Sequence, residues 1–106
     1  MVRLSPIERQ ALDDFASRVR AALGPRALSV TLFGSRARGE GRDDSDLDVL
    51  VLVRDLDSTA RRVVQDAGFD VSLATGLVVS PVSADEARWW PELPLAKAVA
   101  CDGVAL

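Results

Sequence analysis

Apolar and polar positions follow two rhythms along this chain, one helical and one strand-like, and their alternation lays out a small fold. Ile7, Ala11, Phe15, Val19 and Ala22 recur at helical spacing and predict a first helix with one buried stripe. Ser5-Pro6-Ile7-Glu8 ahead of it reads as a capping box, with Ser5 at the N-cap, Pro6 at N1 and Glu8 reaching back from N3. Gly24-Pro25 stops that helix. Ala27–Phe33 is a short β-type run ending at Gly34. The glycine-rich, charged stretch 34–45 is expected to be a loop, and Asp46–Val53 is nearly continuous Leu and Val, as in a central strand buried on both faces.

In the second half, Asp57 or Ser58 can cap a helix whose apolar period runs through Ala60, Val63, Val64, Ala67, Val71 and Ala74 to a stop at Gly76. Gly68 within it costs roughly 1 kcal/mol relative to alanine, so a break with a strand near Phe69–Leu73 is the alternative. Leu77–Val82 reads as a third strand, with Pro81 marking an edge or a bulge. Ser83 with Glu86 repeats the capping-box pattern and predicts a short helix through Trp89-Trp90 to Pro91; Leu95–Cys101 is a last helical run closed by Gly103. The order α-β-loop-β-α-β-α-α predicts a single α/β (α+β) domain over 1–106, a mixed sheet of three or four strands with helices packed on it.

An apolar content of 48% and a charged fraction of 27% suit a folded domain. Without an apolar run approaching ~20 residues, the expectation is a soluble, cytoplasmic protein with no membrane partner. A net charge of −3 argues against nucleic acid as the default partner, since the dense basic patch is confined to Arg36, Arg38 and Arg42 beside acidic neighbours. With no histidine, Ser-His-Asp catalysis and His-ligated zinc are excluded; with one cysteine, so is an intramolecular disulfide. Cys101 is expected in the core, Trp89-Trp90 in core and lid packing, and Arg61-Arg62 in solvent. There is no tyrosine. Carboxylate, hydroxyl, arginine and metal remain for chemistry.

Asp46 and Asp48, at i and i+2 of a strand, point the same way and repel unless a cation sits between them. Such an oxygen-only pair suits Mg²⁺, which takes its remaining ligands from water and phosphate. The Gly34-Ser35 turn just upstream offers backbone N–H groups for that phosphate. The segment therefore reads as a site for a metal-bound nucleoside triphosphate.

Gly34-Ser35-Arg36-Ala37-Arg38-Gly39, a short loop, and Ser45-Asp46-Leu47-Asp48-Val49-Leu50-Val51 together resemble the signature of minimal nucleotidyltransferases of the DNA polymerase β-like superfamily. The resemblance implies a polymerase β palm-like fold and transfer of a nucleoside monophosphate to a hydroxyl. It places Gly34, Ser35, Arg36, Arg38 and Ser45 at the nucleotide, ATP or another triphosphate, with the two arginines against the departing pyrophosphate. Asp46 and Asp48 become the catalytic, metal-holding pair of a two-Mg²⁺ arrangement. A third carboxylate is implied on the following strand; counting forward lands near Ser80, where no acid stands, and Asp70 is the nearest substitute.

The resemblance further implies the antitoxin half of a toxin–antitoxin pair, adenylating a small all-helical HEPN-type protein on a tyrosine hydroxyl. Two alternatives stand beside it: a nucleotide-binding module that neutralises its partner by contact, and transfer to a small-molecule hydroxyl. An exposed strand edge near Val78–Val82 or Val104–Leu106 would allow a homo-oligomer.

Overall fold

The computed structural model describes residues 2–40 and 46–106. Helix α1 (Pro6–Leu23) starts at the expected capping box: the Ser5 hydroxyl accepts from the Glu8 N–H at 3.2 Å, and the Glu8 carboxylate accepts from the Ser5 N–H at 2.8 Å. Gly24 ends it and a single 3₁₀ turn, Gly24–Arg26, leads into strand β1 (Ala27–Phe33). Part of the expected loop is in fact a short helix, α2 (Ser35–Arg38), opened by Gly34 and closed by Gly39 in the left-handed conformation. Strand β2 (Leu47–Val53) begins one residue later than expected, leaving Asp46 just outside it.

Helix α3 (Ser58–Thr75) runs unbroken through Gly68, capped by the Asp57 carboxylate, which accepts from the Ala60 N–H at 2.8 Å. The alternative strand at Phe69–Leu73 does not form. Gly68 has a packing reason: a Cβ there would stand 2.8 Å from Pro81 Cγ, so its absence lets the helix lie against the next strand.

That strand, β3 (Val79–Asp85), starts later than the sequence suggested and runs further. Ser83 is therefore a strand residue, not a helix cap; its parallel partner in β2 is Val51, and pairing along the whole strand outweighs one local cap. Only a 3₁₀ turn, Glu86–Arg88, follows, capped by Asp85. Trp90 is half exposed and Trp89 only partly buried, so neither anchors the core. Helix α4 (Pro94–Asp102) and the two-residue strand β4 (Val104–Ala105) complete the chain. Cys101 lies exposed on α4, not in the core. No helix among the described residues is long and apolar enough to cross a membrane.

The sheet order is β3-β2-β1-β4, with β2 and β3 parallel and the other pairs antiparallel. It is thus a mixed, four-stranded sheet, as expected. Leu47, Val49, Val51 and Val53 of β2 and Val30 and Leu32 of β1 turn to one face, where α1 and α3 close the core with Leu12, Phe15, Val19, Val64 and Val71. Of the expected α1 stripe, Ala11, Phe15 and Val19 are buried, whereas Ile7 and Ala22 are exposed, and Leu12, Ala16 and Leu23 join the buried face. Strand alternation sends Asp48, Leu50 and Leu52 to the opposite face, where α4 packs along β1.

The two candidate oligomer edges belong to β3 and β4, the outer strands of the sheet. Val104–Leu106 pairs with β1 of its own sheet, Leu106 N–H donating to the Val30 carbonyl at 2.9 Å. On β3, the outward Val79 N–H is taken by Ser72 Oγ at 2.9 Å and the Pro81 carbonyl by Gln65 Nε2 at 3.2 Å. Side chains of α3 thereby blunt that edge against strand addition.

Candidate active site

The antiparallel register of β1 and β2 sets Asp48 opposite Phe33, the residue before Gly34. The chain must turn sharply there, and Gly34 does so at φ 82° and ψ −161°, a backbone conformation essentially reserved for glycine. The missing side chain has a second use. A Cβ on Gly34 would come within 2.7 Å of Asp48 Oδ2, so the carboxylate lies directly against the bend. Ser35, half buried, follows it at the start of α2.

Asp46 sits on the other side of Asp48. The parallel register of β2 and β3 brings Ser80 level with Asp48, and the Ser80 hydroxyl donates to Asp46 Oδ2 at 3.3 Å. Burial, followed by the negative charge of Asp46, pushes the Asp48 carboxyl above the ordinary carboxylate range. Two acids and a hydroxyl thus gather on one face at one end of the sheet. The strand position expected to bear a third acid bears Ser80. Asp70 does not replace it: it is on α3, exposed, 3.9 Å from Arg18 of α1. No group of three or more potential metal-ligating acids, histidines or cysteines occurs among the described residues.

The two arginines expected at the nucleotide go different ways. Arg36 is buried and its guanidinium pairs with Glu8 of α1 at 2.5 Å, with a further hydrogen bond to the Arg3 carbonyl at 3.3 Å. Burial pushes the Glu8 carboxyl up, but hydrogen bonds from the Ser5 N–H and from Arg36 outweigh it and leave the group below its usual range. The pair bolts α2, and with it the Gly34 bend, to the start of α1. In this conformation Arg36 serves the scaffold. Arg38 is exposed at the rim, 2.9 Å from Glu40 and 3.6 Å from Asp102 of α4. Hydrogen bonding to Glu40 raises its already high pKa, so it stays cationic. Ser45 and Arg42 fall outside the described residues.

Sequence reasoning found the acids and the bend but missed two partners. Glu8 looked like a helix cap only; its position three residues after Ser5 carried no sign that it also holds an arginine. Ser80 registered as a missing acid, whereas it is a hydrogen-bond donor to Asp46.

A family model described as "Nucleotidyltransferase domain" matches residues 10–88, which include the bend, both acids and Ser80. A curated relative from Methanocaldococcus jannaschii, named as a candidate protein adenylyltransferase, is 31% identical over 74 residues, 67% of this chain and 50% of its own length. The chain therefore spans about half of that relative. Among solved structures, the toxin–antitoxin complex MntA-HpeT is similar over 89% of this chain and 70% of its own, with 25% identity and a TM-score of 0.59. A complex of tri-AMPylated Shewanella oneidensis HEPN toxin with its MNT antitoxin shares the fold over 92% of this chain and 69% of its own, with 19% identity and a TM-score of 0.56.

Proposed function

Because this chain belongs to the nucleotidyltransferase domain family, we propose that it moves adenylate from ATP to a hydroxyl on a HEPN-type helical partner protein, as the antitoxin of a toxin–antitoxin pair. The observation that carries this reading is the Asp48 carboxylate packed against the Gly34 bend, with Asp46 beside it. An oxygen-only pair in which burial and then the Asp46 charge raise the Asp48 carboxyl is a donor set suited to Mg²⁺. Asp46 and Asp48 would hold that ion, which supplies neutralisation of phosphate charge. The bend at Gly34-Ser35 would seat the triphosphate, and Arg38 at the rim would add positive charge toward the leaving pyrophosphate. The names of the relatives support adenylate as the group and a toxin protein as the acceptor.

Ser80 favours a second reading. With a serine where a third acid would activate the acceptor, the chain would bind nucleotide and neutralise its partner by contact alone. Incubation with labelled ATP, Mg²⁺ and a HEPN-type helical protein, sought first as the product of the neighbouring gene, separates the two. Transfer of label by the native chain, lost in Asp46→Asn and Asp48→Asn, is the expected result. A partner neutralised without label, equally well by native chain and variants, would overturn the transferase reading in favour of contact.

A further inference from the structure

Among the exposed large apolar side chains, three lie close together in sequence, on the C-terminal half of α3 and just ahead of β3. Phe69 is 66% exposed, Leu73 74% and Val78 51%. Helix α3 ends where β3 begins, so its C-terminal half stands beside the start of that strand. Val78 adjoins the acids directly, since its carbonyl accepts the N–H of Leu47, the residue between them, at 2.9 Å. Between α3 and β3 lies an open groove of about 490 Å³, lined by Phe69, Ser72, Val78, Ser80 and Pro81 among others, with no charged side chain. Its Ser80 wall is the hydroxyl bonded to Asp46. The groove and the candidate active site are one continuous surface.

We propose that this apolar surface docks a helix of the acceptor protein, apolar face down, so that the acceptor hydroxyl is delivered past Ser80 to the acids. The inference rests on the preceding reading that the acceptor is a protein. Three observations select the occupant. A strand cannot add here, because Ser72 and Gln65 already hold the outward Val79 N–H and Pro81 carbonyl, and Pro81 has no N–H to offer. Phosphate-rich partners find no cation in the lining. Contact must then run through apolar side chains, as when an amphipathic helix lies in a groove.

The test uses the double variant Phe69→Ser/Leu73→Ser, whose altered side chains are too exposed to hold the core. Binding of a HEPN-type helical protein, sought first as the product of the neighbouring gene, is measured by calorimetry without nucleotide; ATP binding with Mg²⁺ and label transfer are measured separately. The expected result is binding of that protein weakened at least about tenfold, with ATP affinity and melting temperature unchanged. Equal binding by variant and native chain overturns the proposal, and so does no binding by either. A variant that loses ATP affinity instead assigns the surface to the nucleotide. A native dimer that becomes a monomer in the variant assigns it to a second copy. Weakened binding with no label transferred even by the native chain leaves docking standing and sinks only the transferase reading.

Discussion

Replacing Arg36 by alanine decides between the phosphate ligand the sequence suggested and the scaffold residue that pairs with Glu8. The Arg36 and Glu8 side chains retain only 4% and 7% of their exposure and meet at 2.5 Å. Removing the guanidinium leaves the Glu8 carboxylate buried with the Ser5 N–H as its remaining short contact. Breaking one side of such a pair typically costs about 3–5 kcal/mol, because the abandoned charge has lost water without compensation. Small domains hold only ~5–15 kcal/mol in total. At ~4–8 °C per kcal/mol for a chain of this size class, the melting temperature should fall by more than about 10 °C.

Urea and thermal denaturation read the loss, and calorimetry with ATP and Mg²⁺ well below the melting point reads the site. Arg36→Ala should melt early; Arg38→Ala, at the surface, should melt close to the native protein. Glu8→Gln/Arg36→Met, which removes both charges and keeps bulk, should recover much of the lost stability, giving a large coupling energy in the double-mutant cycle. An Arg36→Ala protein that melts with the native chain but loses ATP affinity would refute the scaffold role.

Two further outcomes follow from the same geometry. Gly34→Ala forces a side chain into a glycine-only conformation, costing about 1–3 kcal/mol, and drives its Cβ into Asp48, so both melting temperature and label transfer should drop. Gly76→Ala, at a positive φ with open space around it, should lower stability and spare transfer; equal transfer by the two variants would show that Asp48 does not need its seat against the bend. Glu8 lies below its ordinary value of 4.5 in the fold, so its contribution is complete above that pH and is lost as the pH falls through the folded value. Melting curves of native chain and Glu8→Gln should therefore be furthest apart near neutrality and converge below about pH 4.5, whereas parallel curves down to pH 3 would contradict the assignment.

Local signals in the sequence located what local physics decides. Ser5 and Glu8 announced the start of α1, Gly34 the bend, and the apolar run after Asp46 the central strand β2 that carries Asp48. Where the sequence misled, a distant partner had overruled a local preference. Ser83 and Glu86 carry a sound capping pattern, but the parallel partners of β3 extend the strand through Asp85. Gly68 weakens a helix taken alone, yet it is the residue that lets α3 approach Pro81. Periodicity found α1 and the middle of its buried stripe, Ala11, Phe15 and Val19, but not its full width, because Ile7 and Leu12 are both strongly apolar and only the packing decides which is covered.

Arg36 shows the same limit at the site, with a consequence for chemistry. Beside Ser35 and within reach of two acids in sequence, it had every appearance of a phosphate ligand. Nothing between residues 34 and 51 reveals that Glu8, a helix and a strand earlier, would claim it. With Arg36 paired to Glu8, the proposed transfer would draw positive charge toward the leaving group from Arg38 and from an ion held by Asp46 and Asp48. Arg38 is itself shared with Glu40 and Asp102, so a triphosphate must compete with two carboxylates for it. On the proposed reading an ion at that pair would carry much of the burden, and activity with Ser80 in place of a third acid should then depend steeply on metal concentration.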